Sequence, residues 1–155
     1  MNRLENFLKR MHSLDIPEKA PGEDELMADL SNPKVQKILH SKGFAHLATI
    51  GPNGDPQSSP MCFLWDGDYL KFTHTTDRKK YQNIRRDPRV AVSITDVDDP
   101  YISAEFRGVI ERIEEDPTGA FYDTLAKHYE VPWGYSGDPR VILSMKIQHI
   151  AGQNL

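Results

Sequence analysis

The residues best placed to do chemistry lie in a basic segment, "TDRKKYQNIRRDPRVAV", at positions 76–92. Six of the twelve residues from Arg78 to Arg89 are Lys or Arg, in a chain whose formal net charge is −4. Asp77 is predicted to cap a helix here, which turns backbone N–H groups and the positive end of the helix dipole toward the preceding residues. Arg78 and Lys80 fall in the first turn, where the dipole disfavours cations and a bound anion would offset that effect.

The residues just before this helix add hydroxyl groups, from Thr73, Thr75 and Thr76. Hydroxyls, free N–H groups and a guanidinium that converge on one point suit a phosphate monoester. A solvated helix face is the usual explanation for a run of charges, and the segment alone leaves both interpretations open. A nucleic-acid interface is less favoured, because Tyr81 is the one aromatic residue in the run and the pI of the chain is about 5.8.

Other catalytic patterns are absent from the sequence. No two of the six histidines are spaced four residues apart, and Cys62 is the single cysteine, so we predict neither a metal site nor an internal disulfide. The sequence contains no H-E-x-x-H, G-x-S-x-G, Walker or G-x-G-x-x-G motif. No apolar run approaches the roughly 20 residues that span a bilayer, and the charged N-terminus is unlike a signal peptide. These features favour a cytoplasmic protein that binds neither membrane nor nucleic acid.

The first part of the chain is predicted to be helical and then extended. Apolar residues at helical spacing predict a short amphipathic helix, and they are Leu4, Phe7, Leu8 and Met11. Prolines, a glycine and acidic residues then predict an extended linker over residues 13–25. A second helix follows, with Asn32 as its cap, Pro33 at its first position and Gly43 at its end. We therefore divide the chain into a helix and linker, 1–30, and a globular domain, 31–155.

From residue 44 onward the pattern becomes rich in β-strands. Strands are predicted at 44–50, 57–65, 69–75, 89–95, 101–114 and 140–150, and helices at 78–87 and 116–130. Asp116 is the predicted cap of the last helix, and Gly108 marks a predicted bulge. Six strands joined largely by tight turns predict a mainly β (α+β) fold, a six-stranded antiparallel barrel with flanking helices; the pattern alone leaves a sandwich as the alternative.

Three stretches then carry a family resemblance: "FAHLATIGPNGDPQSSPMCFLWDGDYLKF", "TDRKKYQNIRRDPRVAVSITD" and "FRGVIERIEED". They resemble the pyridoxamine 5′-phosphate oxidase-like, FMN-binding split β-barrel superfamily, and within it the branch of deazaflavin (coenzyme F420)-dependent reductases. The resemblance runs from about Gly43 to Ile150. Its most specific part is the pattern R-x-K-x-x-N-[LI]-R-R-D-P-R, which matches Arg78 through Arg89.

The resemblance implies a six-stranded, PNPOx-like split barrel that forms a homodimer, with a flavin or deazaflavin bound at the interface. Arg78 and Lys80 match the ligands of the cofactor phosphate, and Asn83 matches a supporting residue. The strand at the phosphate end would contribute Thr73, Thr75 and Thr76. The strand along the tricyclic ring would contribute Ser59, Pro60, Met61 and Cys62. Tyr101 falls where the family often has an aromatic residue that reaches the partner's cofactor.

The implied function is that of an oxidoreductase that transfers a hydride between reduced coenzyme F420 and a small, planar organic acceptor. An FMN-dependent oxidoreductase of the same fold, or a cofactor carrier without turnover, are the alternatives. No catalytic residue is assigned; His74 and Tyr101 are candidate proton donors, and His74 could simply fill a barrel position. Trp133 and Tyr135, in the loop at 131–139, could form a lid or substrate wall. The last strand lacks the Arg/His cluster expected of a true pyridoxamine phosphate oxidase.

Overall fold

The computed structural model describes residues 22–155. The predicted amphipathic helix around Leu4 and most of the predicted linker lie outside the described residues. The described elements are α1 (Glu23–Leu30), α2 (Pro33–Leu39), β1 (Ala45–Ile50), β2 (Pro56–Met61), β3 (Leu64–Trp65), β4 (Leu70–Thr75), α3 (Lys79–Arg86), β5 (Arg89–Thr95), β6 (Ser103–Glu115), α4 (Ala120–His128) and β7 (Arg140–Gln153). None of these helices is both long and apolar enough to cross a lipid bilayer.

Helices α1 and α2 follow from local sequence signals. The cap of α2 is confirmed, because the Asn32 side chain accepts a hydrogen bond of 2.9 Å from the backbone N–H of Lys34, and Pro33 opens the helix. The end of the predicted linker was wrong, because residues 23–25 belong to α1. Leu26 and Leu30, one helical turn apart, pack against the core, and this tertiary contact supports a helix where acidic residues had indicated a linker.

Helix α4 begins later than the sequence predicts, at Ala120, yet Asp116 still satisfies its first turn. The Asp116 carboxylate accepts hydrogen bonds from the backbone N–H groups of Phe121 (3.3 Å) and Tyr122 (3.2 Å). The N-cap position itself is Gly119, which has a left-handed φ of 67°. Asp116 therefore caps the helix from a position three residues before the N-cap, instead of from the N-cap itself.

The strands form one antiparallel sheet of seven strands in the order β2-β1-β5-β6-β7-β4-β3. The predicted count of six was wrong, because the single strand predicted at 57–65 is two strands, β2 and β3, at opposite edges of this sheet. The break falls at Cys62 and Phe63. The Phe63 side chain is fully buried, and its backbone N–H donates to the Tyr129 hydroxyl (3.1 Å) instead of to a neighbouring strand.

This connectivity forces the sheet to curl. Its two edge strands are consecutive in the chain, and the three Cα steps from Met61 to Leu64 span at most about 11 Å. The edges must therefore meet at this point, although no ladder of hydrogen bonds joins β2 to β3 or β4 among the described strands. The result is a barrel-like sheet that stays open along the rest of its two edges.

The inside of the curled sheet holds the core, where side chains from adjacent strands lie in register. Leu47, Val92, Phe106 and Ile150 form one inward row across β1, β5, β6 and β7. The predicted irregularity at Gly108 is confirmed, because the β6–β7 register shifts between Arg107 and Gly108. A Cβ atom at Gly108 would lie 1.9 Å from the Lys146 carbonyl oxygen, so only glycine fits there.

Helix α3 spans the open side of the barrel. It follows β4, near one edge of the sheet, and it is anchored to β1 and β2 at the other edge. The anchor is the buried amide of Asn83, which donates to Thr49 Oγ1 (3.2 Å) and to Gln57 Oε1 (2.6 Å). Its oxygen accepts from Arg86 (2.9 Å), whose guanidinium also reaches the Ile50 carbonyl (3.5 Å).

Replacing Asn83 with alanine should therefore loosen the barrel. The change leaves the buried Thr49 hydroxyl without its partner, so we expect the free energy of unfolding to fall by about 1–3 kcal/mol in urea denaturation. The matched control is Gln82→Ala, one residue earlier in α3, whose side chain is exposed. Equal stability of the two variants would show that the anchor contributes nothing.

Candidate functional site

The candidate site is a cleft that opens where β2 and β4 diverge. It has a volume of about 350 Å³ and combines the middle of β2, the end of β4 and the start of α3. Its lining residues are Gln57, Ser58, Ser59, His74, Arg78, Lys79 and Lys80. Three of the residues predicted from the sequence, Ser59, Arg78 and Lys80, are thus brought together in one cleft.

Two polar atoms of this cleft are buried without a hydrogen-bond partner. They are Ser59 Oγ and His74 Nε2, and neither finds a donor or acceptor among residues 22–155. Ser59 pairs with the core residue Leu47 and His74 with the buried Val141, so both side chains belong to the inward faces of their strands. An unsatisfied buried polar group costs about 1–3 kcal/mol, and two such groups in one cleft indicate a site built to hold a polar ligand.

The charges in the cleft favour an anion. Its lining carries three cationic side chains and no carboxylate. Burial, and next the nearby Arg78, lowers the pKa of the Lys80 ammonium group. Burial also lowers the pKa of His74 to about 4, aided by the positive charges of Lys80, Arg78 and Arg140. His74 is therefore neutral at physiological pH, and a bound anion would relieve the repulsion among the cations.

The start of α3 differs from the prediction. Asp77 was expected to cap the helix, but the N-cap residue is Arg78 and no side chain caps the first turn. The Asp77 carboxylate instead accepts a hydrogen bond from the Thr75 hydroxyl, which lowers the pKa of Asp77. The first-turn N–H groups, which lack partners within any helix, are therefore left to solvent or to an anion.

The three predicted threonines do not line this cleft. Alternation along β4 points Phe72 and His74 inward, so Thr73 and Thr75 lie on the other face. Thr73 Oγ1 accepts a hydrogen bond from Arg140 (3.3 Å), and Thr76 lines a separate cleft on the far side of α3. Asn83 has both amide N–H groups engaged with Thr49 and Gln57, so the contacts in the structure give it an anchoring role.

The remaining predicted residues are spread around the end of β2 and one distant loop. Pro60 is exposed, on the face of β2 opposite to Ser59, whereas Met61 packs against the core. Cys62 is half-buried, and burial raises the pKa of its thiol. Tyr101 is 73% exposed in the loop between β5 and β6, where its carbonyl accepts from Asn154 (2.8 Å). Their cofactor roles stay predictions.

The cleft also contains residues that the sequence did not assign to it. Gln57 and Ser58 precede the predicted ring-contacting residues, and His74 was considered only as a proton donor or a barrel position. The signal for Gln57 and His74 was the period of two along each strand. It groups Gln57 with Ser59, and His74 with the buried Leu70 and Phe72.

Comparisons with known proteins identify the family of this chain. The sequence model described as pyridoxamine 5′-phosphate oxidase matches residues 31–154, about four-fifths of the chain. The chain belongs to this family. A solved F420 reductase shares 43% identity, with a TM-score of 0.73, over 75% of this chain and 94% of the reductase. The family resemblance inferred from the sequence is thereby confirmed.

More distant structures share the fold alone. A putative pyridoxamine 5′-phosphate oxidase from Listeria innocua is 20% identical, with a TM-score of 0.60, over 79% of this chain and 97% of its own. The general stress protein 26 of Bacillus anthracis is 21% identical, with a TM-score of 0.62, over 78% of this chain and 92% of its own. A search of curated protein sequences found no match. The mainly β, pyridoxamine oxidase-like architecture is thus shared across relatives with diverse descriptions.

The state of His74 gives the site a pH signature. An unfolded histidine binds a proton near pH 6.5, whereas folded His74 does so only near pH 4, so the unfolded state binds more protons between these values. The free energy of unfolding should therefore fall as the pH drops from 6.5 to 4. His74→Gln should show a shallower fall in urea denaturation over that range, and a slope equal to that of the wild type would contradict the assignment.

Proposed function

We propose that this protein is an oxidoreductase that transfers a hydride between reduced coenzyme F420 and a small, planar organic acceptor. The observation that carries the proposal is the cationic cleft with two unpartnered buried polar atoms, Ser59 Oγ and His74 Nε2. These residues fit a phosphate group, which accepts hydrogen bonds and carries negative charge. The 43% identity to an F420 reductase supports the choice of cofactor.

Four residues of the cleft would have distinct parts in binding. Arg78 can form two parallel hydrogen bonds to phosphate oxygens. Lys80, two residues later in the first turn of α3, adds a compact positive charge. Ser59 and neutral His74 would each donate one hydrogen bond from opposite sides of the cleft. Lys80 gains most from the anion, because its charge is partly desolvated and lies beside Arg78.

The protein's part is then binding and orientation. When bound, the deazaflavin supplies the hydride chemistry, while the chain sets where the ring lies and what surrounds it. Because His74 is neutral and its pKa is about 4, it is suited to hold a hydrogen bond and poorly suited to supply a proton at neutral pH. An acceptor that needs a proton would therefore take it from solvent or from a residue other than His74.

An FMN-dependent oxidoreductase is the second candidate. Its support is the match to the pyridoxamine 5′-phosphate oxidase model over residues 31–154, and both cofactors present a phosphate and a flat tricyclic ring. Purified protein that releases FMN on denaturation would favour this candidate. Reoxidation of reduced F420 by a quinone or nitroaromatic acceptor, monitored by visible absorbance, would favour the F420-dependent oxidoreductase. Tight cofactor binding without any turnover would indicate a carrier.

We call the cleft lined by Ser59, His74, Arg78 and Lys80 the phosphate cleft, and removing the charges of Arg78 and Lys80 from it should abolish tight binding of the cofactor. Two charge-assisted hydrogen bonds, each contributing about 1.5–3 kcal/mol, imply that Arg78→Gln/Lys80→Gln raises the dissociation constant at least about a hundredfold. The measurement is fluorescence titration with F420 and with FMN. Lys127→Gln, a charge removed from the exposed side of α4, is the control and should bind like the wild type. Unchanged affinity in the double variant would refute the phosphate assignment.

We also propose that the protein is a homodimer and that the cofactor site lies at its interface. The outer face of the central strands carries Ala48, Ala91, Arg107 and His149 in register, and a cleft of about 510 Å³ opens there. Small residues such as Ala48 and Ala91 let a second sheet approach closely. This face belongs to central strands, so a second copy could cover it without pairing at a sheet edge.

A charge placed on this face should separate the subunits. We expect the wild type to have about twice the monomer mass of 17.7 kDa in light scattering. Ala91→Arg should shift it to the monomer, because its guanidinium would lie opposite Arg107 and two like charges would be buried together in the interface. Thr124→Arg, which adds the same charge on the exposed side of α4, serves as the control and should stay dimeric. A monomeric wild type would refute the dimer.

A further inference from the structure

The rear of the basic segment has no part in the phosphate cleft, and Arg85 in particular points to a different one. A second cleft, of about 610 Å³, lies on the other side of α3. It is lined by Thr76, Tyr81, Arg85, Ile113, Glu115, Pro117, Tyr135, Gly137, Pro139, Arg140 and Val141. Helix α3 therefore separates two clefts that both draw on its cationic residues.

Two guanidinium groups of this cleft lack an acidic partner. In the part of the chain that the structure describes, neither Arg85 nor Arg140 forms an ion pair, whereas Arg89 is paired with Asp87 (2.6 Å). Arg85 lies over the Tyr81 ring at 5.7 Å, one turn away on the same helix. A cation with no acidic partner, beside an aromatic ring, is free to bind an anion from solvent.

Arg140 is held in place on two sides. It donates to Thr73 Oγ1 (3.3 Å) and its guanidinium lies 4.2 Å from the centre of the Tyr122 ring. Its Nε is buried and has no hydrogen-bond partner among the described residues. The side chain is thus fixed before any ligand arrives, which reduces the entropy that binding would otherwise cost.

The walls of the cleft are also fixed. The Tyr135 hydroxyl donates to the Asp138 carbonyl (2.8 Å), and its ring lies so close to Gly119 that a Cβ there would be 2.2 Å from Tyr135 Cγ. Apolar surface is added by Ile113 of β6 and by Pro117 and Pro139. The loop at 131–139 is thus held as a wall by Tyr135.

We propose that this cleft binds a small aromatic monocarboxylate. Two planar guanidinium groups match the geometry of a carboxylate, and the phenol rings with the apolar walls suit a flat hydrocarbon body. Glu115 reduces the net charge of the lining to +1, which favours a single negative charge over a phosphate dianion. The site stands apart from the phosphate cleft and does not depend on the proposed cofactor.

The test uses 2-naphthoate as the probe and 2-naphthalenemethanol as its uncharged analogue, titrated into the full chain by calorimetry. We expect 2-naphthoate to bind and the alcohol to bind at least about tenfold more weakly, since the alcohol forms no ion pair with the two guanidinium groups. In amide NMR spectra, the shifts should centre on Tyr81, Ile113 and Tyr135. No binding of 2-naphthoate at millimolar concentration would overturn the proposal, and so would equal binding of the alcohol.

Variants on the two faces of α3 provide reciprocal controls. Arg85→Gln should weaken 2-naphthoate binding about tenfold or more and leave F420 or FMN binding unchanged. Arg78→Gln/Lys80→Gln should have the opposite pattern. Arg85→Lys, which keeps the charge but loses the planar fork, should give an intermediate affinity. Full 2-naphthoate binding by a folded Arg85→Gln variant would overturn the proposal, whatever the cofactor experiments show.

Discussion

The fold depends on one constraint of connectivity: only Cys62 and Phe63 join the two edges of the sheet. Because so short a link holds β2 and β3 together, the seven strands must curl until their outermost members meet. Continued pairing of β3 with β4 would have set Met61 opposite His74, but β2 turns away there. The phosphate cleft is the space left by that divergence, so the link creates both the barrel and its opening.

Helix α3 turns this opening into two separate clefts. Asn83 fixes the helix against Thr49 and Gln57, on the far side of the gap from β4, from which the helix emerges. With the helix axis fixed in this way, Lys80 faces one cleft and Arg85 the other. One short helix can contribute to two clefts because Asn83 anchors it through a single buried amide. Most of its cationic side chains therefore take no part in the anchor and can face the clefts.

Much of this could be predicted from the sequence, because local signals decided it. The cap at Asn32, the irregularity at Gly108 and the joint location of Arg78 and Lys80 follow from turn chemistry and helical spacing. The break at Phe63 could not be predicted from local sequence. It depends on burial of the Phe63 side chain in the core and on a hydrogen bond to Tyr129, which lies far along the chain. The outward position of Thr73 could have been predicted, because successive residues of a strand such as β4 point to opposite faces and Thr73 precedes the inward His74.

The Tyr129 hydroxyl also bears on how the chain acquires its structure during synthesis. It donates to the Gly43 carbonyl (2.7 Å) and accepts from the Phe63 N–H, partners 86 and 66 residues earlier in the chain. The joint between the sheet edges therefore stays incomplete until residue 129 has emerged from the ribosome. Strand β4 likewise gains its longer ladder only from β7, the last strand in the chain, so completing the barrel depends on contacts of high sequence separation.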